Sequence, residues 1–466
     1  MYYSKSRVFV YQIIRVVVFL LSIIATFYVT YNVSYPGFEE IYLLPITYGV
    51  VFVFFISPVL FKNTNIFLVV FTAVSFTRYV ILPFLIVYTG LYGGRSNIPP
   101  VSSSVELALR LMVYEVIVIS IVVFFTFRKY SPKLFTYNFR VKLPKNYFIY
   151  ILFFSVTAFL VILNPSVLES FYFIIPPDNI EGFGAENAFT SIAFYSLVIS
   201  KYLIYLVIIS FFYKKYLLTA NNIYIFLSFI VTLINIFIVF GDNRADFVIT
   251  TIVSLILFYK LYPKQSKIAS IIILLSLILI TGFISDHRDN VRYSDGVNPI
   301  LDLTNTLQVY LGGPYNVAIS VETANLNPEA RDILHFGYDI LRPTLGPNII
   351  LKNIDYKMSS DYFNERIFFS DHKSQIIPII GQGYFFFGFI FSPIIHILFI
   401  FLVRYLLAVQ QRYSRIELLF FLMIPIARIG LAMGQNGSIL MNDTSFFLLL
   451  SLFVYYFNNK ITFKKV

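Results

Sequence analysis

Long apolar runs separated by short polar segments extend over most of the chain. A helix needs about 20 apolar residues to cross a bilayer, and about twelve runs approach that length. The predicted spans are 13–31, 41–60, 66–90, 107–127, 147–163, 191–212, 223–240, 246–262, 268–285, 376–403, 416–433 and 438–457. The span at 376–403 is long enough to tilt, or to break at Pro393. The pattern predicts an all-α, polytopic integral membrane protein in which 1–466 form a single membrane domain.

One segment, 286–375, departs from this pattern because it is too polar to cross a membrane. It contains three of the four histidines and eight lysines or arginines. Its leucines, isoleucines and tyrosines recur at helical spacing, which predicts short helices lying over the membrane as a lid or cradle. Two of these helices are predicted at 299–309 and 316–324, with a break or close-approach turn at 311–315. Because loops longer than about 15 residues are often functional, we expect the chemistry at or beside this segment.

A third short helix is predicted at 332–342 within the same segment. His335, Asp339 and Arg342 follow each other at spacings of four and three, which places them on one helical face. Pro343 ends the helix, since the residue before a proline avoids the helical conformation. The sequence therefore predicts a histidine, a carboxylate and a cation side by side.

The distribution of lysine and arginine predicts the orientation. Basic residues cluster in alternate short loops, whereas the opposite loop at 164–190 carries four acids and no lysine or arginine. Short loops rich in lysine and arginine stay in the cytoplasm, so both termini should be cytoplasmic and 286–375 should lie outside. The cations of 286–375 do not oppose this, because long loops translocate largely regardless of charge.

Composition excludes a soluble fold. The chain is 58% hydrophobic and 13% charged, against about 25% charged residues in a soluble domain. It has no cysteine, which excludes disulfides, thiolate metal sites and a cysteine nucleophile. The net charge of +11 lies mainly in short loops, as expected for topology and contact with anionic lipid. We expect no nucleic acid partner.

Three arginines lie in unusual places. Arg78 and Arg428 fall inside predicted spans, and Arg244 lies where one span ends outside and the next begins. A charge in the hydrocarbon costs about 2.5–3.5 kcal/mol, so it faces a cavity or a partner. The main acids within the predicted spans are Glu115 and Glu417. The arginines either pair with such acids to hold helices together or converge with loop cations on an anionic group.

Several short patches, together with about twelve spans and one large external loop, resemble the Wzy-type polymerases of O-antigen and capsule repeat units. The resemblance covers the whole chain in architecture. The patches that carry it are Gly241-Asp242-Asn243-Arg244, Tyr310-Leu311-Gly312-Gly313-Pro314, Gly381-Gln382-Gly383-Tyr384, Phe387-Gly388, and Arg428 with Gly430.

The resemblance implies a substrate and a reaction. The substrate would be undecaprenyl-diphosphate-linked oligosaccharide on the outer face of the bacterial cytoplasmic membrane. The growing chain would be transferred from one lipid carrier to a new lipid-linked repeat, and undecaprenyl diphosphate would leave. Membrane lipid and a chain-length regulator are the further partners implied. With no metal-binding motif in the sequence, we expect chemistry without a metal or another cofactor.

This reaction needs cations facing the diphosphate and a base at the acceptor hydroxyl. The sequence offers three candidates for the base and does not choose among them. The catalytic candidates are His335, Asp339 and His372. The candidates for binding diphosphate or sugar are Arg244, Arg288, Arg292, Arg342, Arg428 and Tyr310.

Three other functions fit parts of the pattern. An O-antigen ligase would use the same donor with a lipid A core acceptor. A glycosyltransferase with GT-C-like architecture would carry an acidic pair in its first external loop, where Glu39 and Glu40 lie. A flippase or transporter of the lipid-linked repeat would have cavity-facing polar residues along several spans and no loop of this size.

Overall fold

The chain folds almost entirely into α-helices. The computed structural model describes residues 5–130, 141–144, 147–174, 188–240, 244–265, 271, 298–354, 356–370 and 375–460, without the side chains of 5–8, 188, 244 and 245. The helices of the first half are α1 Lys5–Asn32, α2 Leu43–Val51, α3 Ser57–Lys62, α4 Ile66–Phe76, α5 Leu82–Thr89, α6 Ser102–Phe127, α7 Phe148–Leu163, α8 Ala188–Thr219, α9 Ile223–Phe237 and α10 Arg244–Leu261.

The second half continues in the same way. Its helices are α11 Pro299–Tyr310, α12 Pro314–Leu326, α13 Ile333–Leu341, α14 Pro347–Leu351, α15 Ser359–Phe368, α16 Ile379–Phe391, α17 Ile394–Arg412, α18 Ile416–Gly430, α19 Gly437–Asp443 and α20 Leu449–Lys460. Two three-residue strands, β1 Phe171–Phe173 and β2 Ile238–Phe240, pair in antiparallel register and are the only strand pair in the described ranges.

Seven helical stretches within the described residues are long and apolar enough to cross a membrane. They are Phe9–Asn32, Glu39–Lys62, Ile66–Thr89, Ser102–Phe127, Phe189–Thr219, Ile394–Arg412 and Gly437–Lys460. Shorter apolar helices are Phe148–Leu163, Ile223–Phe237 and Ile379–Phe391. These stretches support a multi-pass helical membrane protein, whereas the total of about twelve spans stays a prediction. The predicted span at 268–285 lies mostly outside the described residues.

The predicted span at 376–403 breaks near Pro393, as its sequence indicates. Helix α16 ends at Phe391 and α17 begins at Ile394, with Pro393 between them. Gly388 adds a kink inside α16, where its φ of 70° is a left-handed conformation that favours glycine. The two helices are therefore separate elements.

The chain folds as two compact units, each formed by segments that are distant in sequence. Unit 1 comprises Met1–Thr136, Asn290–Tyr405 and Ile429–Met441. Unit 2 comprises Tyr137–Asp289, Leu406–Arg428 and Asn442–Val466. The prediction of a single membrane domain is not tested by this division and stays a prediction.

The polar segment is built into the core of unit 1. Helix α12 packs against the long helix α6 and against α15 and α16. All residues from Pro314 to Val321 are buried, including the polar residues Asn316 and Ser320. Helix α12 is therefore part of the core of unit 1. The expectation that the helices of this segment lie over the membrane as a lid or cradle stays a prediction.

The predicted close-approach turn lies between α11 and α12. Gly312 has a φ of 60°, and a Cβ built on it would lie 2.8 Å from the ring of Pro378. A Cβ at Gly434 would lie 2.3 Å from the carbonyl oxygen of Tyr310. Glycine at both positions lets the turn approach the segments before α16 and α19, so the close-approach prediction is confirmed.

Candidate functional site

Helix α13 begins at a strong N-cap, which fixes the positions of the predicted site residues. The Asp332 carboxylate accepts hydrogen bonds from the backbone N–H groups of Leu334, at 2.7 Å, and His335, at 2.8 Å. An aspartate in this position satisfies donors that the first helical turn leaves free. The helix predicted at 332–342 is confirmed as Ile333–Leu341.

His335 is held by a carboxylate and by an aromatic ring. Its Nδ1 lies 2.8 Å from Asp332 Oδ2, and its ring stacks on Tyr356 with 4.7 Å between centroids. The backbone N–H of His335, followed by its side chain, lowers the pKa of Asp332 below the usual aspartate value. A carboxylate at Nδ1 favours the tautomer that leaves Nε2 as the proton acceptor. Sequence analysis did not identify Asp332 as the partner of His335, although the spacing of three on a helix would have indicated it.

Arg342, one residue after α13, is a cation with weak partners. Its Nη1 donates to the Sδ of Met358 at 3.3 Å, and its guanidinium lies 5.7 Å from the centre of the Tyr338 ring. Its Nε is buried without a hydrogen-bond partner, and no carboxylate pairs with this side chain in the described part of the chain. Burial and, secondarily, Arg342 lower the pKa of Lys352. Lys352 is thus held near Arg342, whose guanidinium has no carboxylate partner among the described residues.

Asp339 lies one turn after His335 on α13 and is buried. Its carboxylate accepts from the backbone N–H of Ser359 at 3.0 Å, from the Ser359 hydroxyl at 2.7 Å and from Gln382 Nε2 at 2.5 Å. Gln382 Oε1 in turn accepts from the backbone N–H of Gly437 at 2.7 Å. Burial raises the pKa of Asp339. The geometry favours a brace joining α13, α15, α16 and α19 over a working face shared with His335, and the catalytic role of Asp339 stays a prediction.

Replacing Asp339 with alanine should destabilise the protein by about 1–3 kcal/mol, because the donors of Ser359 and Gln382 lose their acceptor while buried. The measurement is thermal unfolding of the purified protein in detergent. Glu365→Ala is the matched control, because that carboxylate lies at the surface with Lys357 and should change stability by no more than about 1 kcal/mol. Equal unfolding temperatures for the two variants would contradict the bracing role.

Unit 2 contains a charge cluster in which Arg428 is buried and its two carboxylate partners are half-buried. Arg428 Nη2 pairs with Asp246 at the start of α10 and lies 2.8 Å from Asp443 Oδ2 at the end of α19. The hydroxyl of Tyr195 donates to Asp443 Oδ1 at 3.0 Å. A phosphate would have to displace two carboxylates from this guanidinium. The geometry therefore favours a structural role for Arg428, and its role in binding stays a prediction.

A cavity lies beside this cluster. Its volume is about 70 Å³, and its lining includes Tyr195, Tyr202 and Phe240 with Asp246 and Arg428. This space can hold water, since one molecule needs about 10–15 Å³. The cluster therefore lies beside a small cavity whose lining is mostly apolar.

A second buried ion pair lies in unit 1. Arg78 Nη1 donates to Glu115 Oε2 at 2.7 Å, and Arg78 Nε donates to the Gly312 carbonyl oxygen at 3.1 Å. The Tyr79 hydroxyl donates to the same carboxylate oxygen, and His396 Nδ1 lies 3.6 Å from its other oxygen. Arg78 thus pairs with Glu115, one of the main acids within the predicted spans. This pairing favours a role in holding helices together.

The other predicted site residues are placed only in part. His372, Arg288 and Arg292 lie outside the described residues. Arg244 begins α10, two residues before the Asp246 that pairs with Arg428, but its side chain is not described. Tyr310 ends α11 beside the Gly312 turn and is partly buried. The structure therefore places His335 and Asp339 in α13 with Arg342 directly after that helix, and it pairs Asp246, at the start of α10, with Arg428.

No family model, no curated protein and no solved structure matches this chain.

Proposed function

We propose that this protein polymerises undecaprenyl-diphosphate-linked oligosaccharide repeats on the outer face of the bacterial cytoplasmic membrane, with both termini in the cytoplasm. The observation that carries the proposal is the environment of Arg342. This arginine has a thioether and a ring as its partners, and Lys352 lies near it. Arginine binds phosphate well because its planar fork donates two parallel hydrogen bonds.

The chemistry assigns a role to each part of this site. A hydroxyl of the new lipid-linked repeat attacks the anomeric carbon of the growing chain, and the bond from that carbon to the diphosphate oxygen breaks. His335 Nε2 takes the proton of the hydroxyl, while Asp332 holds the imidazole and stabilises its charged form. Arg342 and Lys352 face the diphosphate, where negative charge develops as undecaprenyl diphosphate leaves.

The test is reconstitution of the purified protein in vesicles with a synthetic lipid-linked repeat. A polymerase converts single repeats into a ladder of lipid-linked products of increasing length. A ligase forms no ladder from these repeats, because it requires a lipid A core acceptor. In cells, deletion of a polymerase leaves single repeats, whereas deletion of a ligase leaves long polymer on the carrier. Long polymer on the carrier after deletion would overturn the proposal.

The Asp332–His335 pair provides a more specific prediction. His335→Gln should lower turnover by about 10²–10⁴-fold, the usual contribution of general acid–base catalysis. Asp332→Asn keeps an N-cap but removes the charge that supports the imidazolium, so it should lower turnover less. Initial rates of ladder formation measure both effects, and apparent donor affinity should change little. Full turnover by His335→Gln would remove this residue from the mechanism.

A further inference from the structure

Helix α13 presents its apolar side outward and its polar side inward. Ile333 is 70% exposed and Leu334 is 71% exposed, and Leu341 lies two turns further along the same face. Gly337 lies between them, and a Cβ there would meet no atom within 4 Å. Asp339, on the other side, is buried. A surface helix in water shows the reverse arrangement.

The apolar exposure continues on α14, which packs against α13. Ile349 is 60% exposed and Ile350 is 71% exposed, and both lie in this five-residue helix. Large apolar groups exposed together mark a surface that contacts protein or membrane. Burial of such groups is the dominant favourable term in association, so a partner for this face is expected.

The charges at this face identify the partner. Arg342 follows α13 and Lys352 follows α14, so a cation lies at the end of each helix that carries the apolar side chains. Helices that lie in a membrane surface combine an apolar face with lysine or arginine beside it. Long cationic side chains cover apolar surface with their stems and extend their heads toward phosphate.

We propose that α13 and α14 lie in the boundary between the headgroups and the acyl chains of the phospholipid bilayer that holds the protein. In this position Ile333, Leu334, Ile349 and Ile350 contact lipid, and Arg342 lies at the depth of the phosphate groups. The proposal rests on exposure and charge and does not require polymerase activity. If the polymerase proposal is correct, the donor diphosphate lies at the same depth.

The absence of tryptophan from the chain makes a direct test available. Leu334→Trp and Ile350→Trp each introduce a single fluorophore at an exposed site. Each variant is placed in vesicles of phosphatidylethanolamine and phosphatidylglycerol, with bromine on the acyl chains near the headgroup or near the bilayer centre. Leu20→Trp, at a 50% exposed position of α1, is the control for contact with lipid. Glu329→Trp, at an exposed position of the turn before α13, is the control for water.

We expect bromine near the headgroup to quench Leu334→Trp and Ile350→Trp more strongly than bromine near the centre. Acrylamide should quench the tryptophan fluorescence of both variants less than that of Glu329→Trp. Two results would overturn the proposal. One is quenching by acrylamide without quenching by brominated lipid, which places the face in water. The other is resistance to both quenchers, which places it against a second copy of the chain. Polymerase activity is measured separately on the same vesicles by the ladder assay. Absence of a ladder would contradict the proposed function and would leave the quenching result unchanged.

Discussion

Arg428→Ala should destabilise the protein by about 3–5 kcal/mol, the cost of removing one partner from a buried salt bridge. Without the guanidinium, the half-buried carboxylates of Asp246 and Asp443 would remain near each other with no cation from this position. The expected result is a lower unfolding temperature in detergent and less protein in the membrane fraction. This differs from a pure phosphate-binding role, for which activity would fall while the protein level stayed unchanged.

Neutralising the two carboxylates of the cluster should offset the loss of stability caused by Arg428→Ala. Adding Asp246→Asn and Asp443→Asn to Arg428→Ala removes the uncompensated carboxylates and should restore much of the unfolding temperature. Arg110→Ala is the matched control, because Arg110 pairs with Glu40 at the surface and its loss should cost no more than about 1 kcal/mol. An unchanged unfolding temperature for Arg428→Ala would show that the pairing does not stabilise the fold.

Arg342→Ala should lower turnover by about 10²–10³-fold, as expected when one preorganised donor to a developing negative charge is removed. Stability should change little, because the side chain is partly exposed and its hydrogen-bond acceptor is the weakly accepting thioether of Met358. Arg342→Lys should retain part of the activity, since lysine keeps the charge but lacks the planar fork. The measurement is the initial rate of ladder formation across donor concentrations.

Lys357→Ala is the matched control for Arg342→Ala. It removes one positive charge from the same polar segment, where Lys357 pairs with Glu365 at the surface. The control should keep normal turnover and a normal ladder. If Arg342→Ala also gives a normal ladder at wild-type protein level, the diphosphate is bound elsewhere.

Periodicity and glycine chemistry predicted much of the local structure. The helix containing His335, the Gly312 turn and the break near Pro393 all depend on neighbouring residues, and each has a recognisable local pattern. The apolar runs likewise predicted membrane helices such as α6 and α8, because length and composition alone identify them.

Tertiary pairing was not predictable in the same way. Asp246 and Arg428 are separated by 182 residues, and nothing local to either residue indicates the other. A helical period of 3.6 placed Asp339 on one face with His335 and Arg342. The period does not predict which residue of that face is buried. The buried position of Asp339 follows from Ser359 and Gln382, which come from other helices.

The burial of α12 in unit 1 has a consequence for biogenesis. Arg78 and the backbone of Gly312 form a contact across 234 residues of sequence, and Val101 and Glu322 form one across 221. Because chains are synthesised from the N-terminus, the early helices enter the membrane long before α12 exists. The groove that α12 fills must therefore stay open until the later part of unit 1 has been synthesised. If the polar segment lies outside, as we propose, its transfer across the bilayer comes before the assembly of unit 1.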